Sequence, residues 1–251
     1  MSDFSYAILD KRDHRPWALP ERPWVMTQTW HDLLFAHWRV PVEALRRIVP
    51  SVFPIDTFNG DAWLAVVPFH MTNVGPRFVP SLPWVSAFPE LNVRTYVRVD
   101  DKPGVYFFSL DASSVAAVAA ARSLLRLPYF TADMSVRVGP SIDYRSRRRS
   151  NPGTEFCATY EPAGSPAAPV TGSLEYFLTE RYCLYATDHL NHPYRLEIHH
   201  PPWPLQRATA HITVNTMTAS LGIEVHGPPL LHFSARQDVV CWRPKRLEVR
   251  G

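Results

Sequence analysis

The stretch that most constrains this chain is residues 90–130, ELNVRTYVRVDDKPGVYFFSLDASSVAAVAAARSLLRLPYF. In an extended strand, side chains two apart share a face. The first segment therefore predicts one face of Leu91, Val93, Thr95, Val97 and Val99. The other face carries Glu90, Asn92, Arg94, Tyr96 and Arg98. Val105 to Asp111 is apolar and aromatic on both faces, as a buried central strand would be. Asp100 to Gly104, between them, is a run of turn formers that predicts a hairpin. Ala112 to Arg126 predicts a helix capped by Asp111, Ser113 or Ser114, with Arg122 on or beside the inward stripe of Val115, Val118 and Leu125. The polar face of the first strand either meets solvent or lines a cavity. The buried second strand and the inward Arg122 favour a cavity, in which Arg122 pairs with Glu90 or with an anionic ligand.

Other segments read as short strands punctuated by proline, of which there are 25 against 10 glycines. Strands are expected at 27–38, 63–72, 131–138, 141–148, 155–160, 181–187, 195–199, 205–215 and 230–243. Short helices are expected at 42–49 and from about Thr171 or Ser173 to Glu180. More than ten strands around two or three short helices predict a mainly β (α+β) single domain, a closed or nearly closed antiparallel β-barrel over 27–251. Residues 1–26 read as an arm packed on the surface or against a partner subunit in a homo-oligomer. Residues 73–89 read as a loop over the mouth of the barrel.

No run of about 18 apolar residues spans a membrane, and the first residues lack an apolar leader. Cys157, Cys183 and Cys241 are far apart and odd in number, which suits a reducing, cytoplasmic setting. A net charge of +3 with one basic cluster, Arg145 to Arg149, gives no face broad enough for nucleic acid.

Dedicated cofactor and metal motifs are absent from the sequence. There is no nucleotide-binding glycine loop, no GxSxG elbow and no HExxH. His31, His37, His70, His199, His200 and His211 fall in or near strands without metal-ligand spacing, and Asp188-His189-x-x-His192 is a sparse alternative. The expectation is no metal and no cofactor. For acid–base work the candidates are Glu90, Tyr129 and His37. For binding a small, anionic ligand they are Arg94, Arg122, Asn92, His70, Arg148, Arg181 and Tyr182, because a guanidinium holds a carboxylate in a two-pronged fork. The plainer alternative is a buried Glu–Arg network that only fixes strand register.

Several stretches resemble a known family: WHDLLFAHWRVPVEALRRIVP, IDTFNGDAWLAVVPF, FPELNVRTYV, GVYFFSLDA, LPYF, SLEYFLTERYCLY and HHPPWPLQ. Together they look like the YqjF-like family of uncharacterised conserved bacterial proteins. That resemblance places the chain in the acetoacetate decarboxylase-like superfamily and implies a β-barrel with a buried internal pocket. Acetoacetate decarboxylases use a barrel-interior lysine that forms a Schiff base with the substrate, and its amine must be largely neutral. The lysines here are Lys11, Lys102 and Lys245, and none sits directly after the central helix, where the resemblance would place it. Tyr129 or Phe130 stands where the resemblance would place the nucleophile. The leading expectation is thus a binder of a small organic anion, a carboxylate or keto acid, without Schiff-base chemistry. A lysine-independent lyase, isomerase or hydrolase on the same pocket, and a non-enzymatic oligomeric interaction protein, are the alternatives.

Overall fold

The structure is a computed structural model that describes residues 4–78, 86–124, 127–188 and 190–248, apart from the side chains of 120 and 122–124. Twelve strands form one continuous sheet: β1 (Met26–Val40), β2 (Ala62–Pro76), β3 (Phe88–Val99), β4 (Lys102–Ala112), β5 (Tyr129–Val138), β6 (Ile142–Arg148), β7 (Glu155–Ala167), β8 (Cys183–Thr187), β9 (Pro193–His199), β10 (Leu205–Asn215), β11 (Leu230–Cys241) and β12 (Lys245–Arg246). The helices are short: α1 (Val42–Arg46), α2 (Val115–Leu124) and α3 (Leu174–Thr179). Among the described residues no helix is long and apolar enough to cross a membrane.

The sheet closes on itself twice. Strands β11, β1, β2, β3 and β4 pair side by side along their lengths. At one end of β4, Leu110 to Ala112 pair in parallel with β5, and β5–β6–β7–β10 lead back to β11 as a nine-strand ring. At the other end, Val105 and Tyr106 pair in parallel with β8, and β8–β9 reach β11 at Val240 and Cys241 to complete a seven-strand circuit. The five shared strands therefore have interior on both sides. Leu91, Val93 and Val97 pack with Tyr144, Phe156 and Tyr160 inside the nine-strand ring. Tyr96, Phe107 and Leu110 pack with Leu178 and Trp203 on the other side. Every residue from Glu90 to Val97 is buried, so the half-solvated alternative for this strand does not hold.

Local chemistry explains the hairpin and the bulges. Asp100 and Asp101, with φ of 50° and 58°, make a two-residue turn that brings Val99 opposite Lys102. Positive φ at both central positions matches the right-handed twist of paired strands, and aspartate tolerates it. Two of the sheet's register shifts then break the alternation expected from sequence in the strands that matter here. Asp32, at φ 51°, is the extra residue between His31 and Ala36. Phe108 is the extra residue where Val93 pairs with Ser109 but Arg94 with Phe107. Each bulge advances the side-chain phase by one. Trp30 and Leu33 consequently share a face, and so do Phe107 and Leu110.

Several boundaries differ from the sequence expectation. Residues expected as loop extend β2 to Pro76, start β3 at Phe88 and carry β7 on to Ala167, where backbone pairing with neighbours outweighs the local proline content. Residues 79–85 of the expected mouth-covering loop lie outside the described residues. The N-terminal arm covers the β9 end of the seven-strand circuit. Ile8 and Trp24 pack on Val240 and Trp242. His199 Nε2 bonds the Ile8 carbonyl at 2.8 Å, and Trp17 donates to Glu197 at 3.0 Å.

Closure at β8 depends on Gly104. A Cβ there would lie 2.5 Å from the Cys183 carbonyl oxygen and 2.6 Å from the Tyr185 ring. Backbone cannot yield as a flexible side chain does, so Gly104→Ala is expected to destabilise the fold by about 1–3 kcal/mol. Urea unfolding would measure this, and an unchanged midpoint would show that β8 is free to shift.

Candidate functional site

The seven-strand circuit encloses a cavity of about 50 Å³, and each of its strands contributes to the wall. One ordered water needs only about 10–15 Å³, so the space exceeds a single water. The polar face of β3 supplies Glu90, Asn92 and Arg94. Tyr129, at the start of β5, reaches in from beyond the circuit and donates its hydroxyl proton to Glu90 Oε2 at 2.8 Å. Arg181, ahead of β8, also lines the wall.

These groups differ in how they are satisfied. Arg181 is neutralised: its guanidinium meets Asp56 Oδ2 at 2.7 Å and stacks on Phe177 and Tyr96. Arg94 is buried and has no ion pair among the described residues. Its Cζ lies 5.5 Å from the centre of the Phe35 ring, and its Nε has no hydrogen-bond partner. Asn92 Oδ1 and Trp203 Nε1 are likewise buried without partners. Unpaired buried polar atoms are costly, and these three belong to residues that line one cavity. Burial pushes the Glu90 carboxyl up to about 8, against the hydrogen bond from Tyr129, which favours ionisation; nearby Asp111 adds to the rise. At neutral pH Glu90 is thus largely a neutral acid. An arginine guanidinium stays protonated in proteins, and with Arg181 balanced by Asp56 the wall carries the positive charge of Arg94.

The other residues proposed from sequence lie elsewhere. His37 is not on the wall. It donates from Nε2 to the Tyr96 hydroxyl at 2.7 Å, and Tyr96 in turn donates to the Leu178 carbonyl. Complete burial holds the His37 imidazole neutral, far below its ordinary value. His70 stacks on His31 and faces Asp32 at 3.5 Å, away from the cavity. Arg148 forms a two-pronged pair with Asp111, closest at 2.6 Å, and stacks on Phe130. Strand alternation takes Arg148 inward while Arg145, Arg147 and Arg149 stay exposed, so the basic cluster is not one surface. The Tyr182 hydroxyl bonds Glu180, and its ring lies under the Arg15 guanidinium. The side chain of Arg122 lies outside the described residues, as does His189 of the sparse metal alternative.

Gln28, Trp30, His200 and Trp203 line the cavity without having been singled out as ligand-binding. His200 is held neutral by burial, which lowers it to about 3. The bulge at Asp32 and the β9–β11 pairing bring these residues in, and neither has a signal in local sequence. Cys241 is on the wall with its thiol raised by burial to about 12, so it is not a thiolate nucleophile. No lysine lines the cavity. Lys102 pairs with Glu197 at 3.0 Å, and Lys11 and Lys245 are exposed. Among the described residues no group of three or more His, Cys, Asp or Glu side chains comes together to hold a metal.

Comparison with known proteins agrees with this architecture. A family model described as DUF2071, uncharacterized conserved protein, matches residues 27–238. The chain is 50% identical to the uncharacterized protein YqjF of Bacillus subtilis over 227 residues, covering 90% of this chain and 93% of that one. Among solved structures, acetoacetate decarboxylase from Legionella pneumophila superposes with a TM-score of 0.65 at 10% identity, covering 99% of this chain and 98% of that one. The enduracididine biosynthesis enzyme MppR, complexed with pyruvate, gives 0.62 at 10% identity, covering 94% and 93%. At such identities the likeness establishes the fold: mostly β, of the acetoacetate decarboxylase type.

The raised Glu90 carboxyl ties stability to pH. Below its ordinary value of about 4.5 both folded and unfolded chains hold the proton. Between about 4.5 and about 8 the unfolded chain ionises while the folded chain does not, so stability falls as pH rises and levels off above about 8. Glu90→Gln removes that loss. Urea unfolding at about pH 5 and about pH 9 should show the variant gaining on the native protein by a few kcal/mol at the higher pH, because each tenfold change in proton affinity is worth about 1.4 kcal/mol. An equal difference at both pH values would mean that Glu90 is ionised in the fold.

Proposed function

The chain belongs to the DUF2071 family of uncharacterized conserved proteins, and on that premise we propose that it binds a small organic anion, a carboxylate or keto acid, inside the seven-strand circuit without Schiff-base chemistry. The observation that carries the proposal is the buried Arg94 guanidinium with an unpartnered Nε, beside an unpartnered Asn92 side chain. A carboxylate would supply charge and acceptor lone pairs at that place. Trp203 Nε1 offers a further donor, and neutral Glu90 with Tyr129 would orient the ligand without repelling it. The structural neighbour that binds pyruvate supports the size and class of ligand. With no lysine on the wall, binding is non-covalent at nitrogen. Three free cysteines fit a cytoplasmic setting.

A second reading is favoured by Glu90 itself. A carboxyl near 8 beside a tyrosine is suited to exchange a proton with a bound acid. The protein would then be a lysine-independent lyase, isomerase or hydrolase with Glu90 as acid or base. Turnover of a panel of keto and hydroxy acids that disappears in Glu90→Gln, with ligand binding retained, would establish it.

Calorimetric titration with pyruvate and acetate tests the main proposal. Arg94→Met should weaken binding roughly ten- to a hundredfold, the usual value of a hydrogen bond to a charged group. Affinity should also fall as pH rises through about 8, because ionised Glu90 opposes a second negative charge. Binding that is indifferent to Arg94→Met would refute the site.

A further inference from the structure

The polar cavity has an apolar annex. Met26, Gln28 and Tyr129 belong to its wall and also to the wall of a second chamber of about 710 Å³. That volume falls in the range of about 300–1,000 Å³ typical of small-molecule sites. Met71, Phe88 and Tyr129, all buried, form the deep part, and Val74, Ala117 and Ala121 form its sides. Helix α2 presents Ala116, Ala117 and Ala121 to the chamber, so methyl groups stand where larger side chains would fill the space. Pro76, Ala116 and Arg243 are exposed at its rim. The two spaces thus share three residues, and one is polar while the other is mainly apolar.

We infer that the natural ligand is an amphiphilic acid, with its carboxylate in the polar cavity and an alkyl chain of medium length lying past Met26, Gln28 and Tyr129 in the larger chamber. The inference rests on the anion reading above and names the class of anion. The orientation follows from solvation. Arg94 is buried with an unpartnered nitrogen, whereas Arg243 is exposed and its charge is met by water. A charged head gains most at Arg94, and an alkyl chain gains by leaving water for the apolar chamber. Met26 at the junction is unbranched and adaptable, which suits a passage that must fit a flexible chain.

The test is a calorimetric series of straight-chain acids, acetate, butyrate, hexanoate and octanoate, below their micellar concentrations. Affinity should rise roughly three- to fourfold per added methylene once the chain enters the chamber. Ala117→Phe and, as an independent plug, Ala121→Phe should flatten that rise while acetate affinity stays within about threefold of the native value. Arg94→Met should weaken every member of the series. Equal affinity for acetate and octanoate, or a gain for octanoate that survives both plugs, would overturn the inference and leave the anion reading intact. Octanoate binding indifferent to Arg94→Met would overturn the proposed orientation, and failure of every acid, acetate and pyruvate included, would sink the anion reading itself.

Discussion

A five-strand sheet with interior on both sides governs this molecule. Antiparallel sheets commonly keep one face in water, where polar side chains cost nothing. Here β5–β6–β7–β10 close over one face of β11–β1–β2–β3–β4 and β8–β9 close over the other. The polar face of β3 is therefore taken out of water together with the apolar one. Glu90, Asn92 and Arg94 each carry a desolvation cost that stability alone gives no reason to accept. The unpaired atoms of Asn92 and Arg94 and the displaced ionisation of Glu90 are direct consequences of that closure.

Buried arginines in this fold divide by how they are compensated. Arg148 with Asp111 and Arg181 with Asp56 each have a carboxylate at hydrogen-bonding distance and an aromatic ring against the guanidinium. Such pairs fix neighbouring elements: Arg148 ties β6 to β4, and Arg181 ties the entry to β8 to the segment before β2. Arg94 has the ring but not the carboxylate among the described residues. Arg15 and Arg195, the other two buried arginines, both face Glu197. Among the described residues, the same residue type on the same scaffold thus has a carboxylate partner in four places and lacks one at Arg94. Lysine chemistry is separated from this interior altogether, because Lys102 is held at Glu197.

Much of this was legible in sequence. The alternation over 90–98 marked Glu90, Asn92 and Arg94 as one face, and they line one cavity. The expectation of a mainly β chain with short helices holds, with Ser173 capping α3 and Ser114 bonding the first turn of α2. Other candidates lie off this wall for a common reason. Arg148, His70 and Tyr182 have the right chemistry, but their direction is set by which strand lies opposite. Two polar partners, Asp111 and Glu180, claimed Arg148 and Tyr182, and His70 took Asp32.

Sequence by itself determined the strand periods, the turn at Asp100 and Asp101, the polar face of β3 and the absence of a lysine directly after the central helix, because each depends on neighbours along the chain. Tertiary structure alone decided that Trp30 and Leu33 share a wall, that Trp203 and His200 reach the same cavity, and that Arg94 is left without a carboxylate. Those outcomes depend on single-residue bulges and on where β9 meets β11. A bulge shifts every later side chain by one face at almost no local cost, and a closure joins residues far apart in sequence, so neither leaves a periodic trace in the chain.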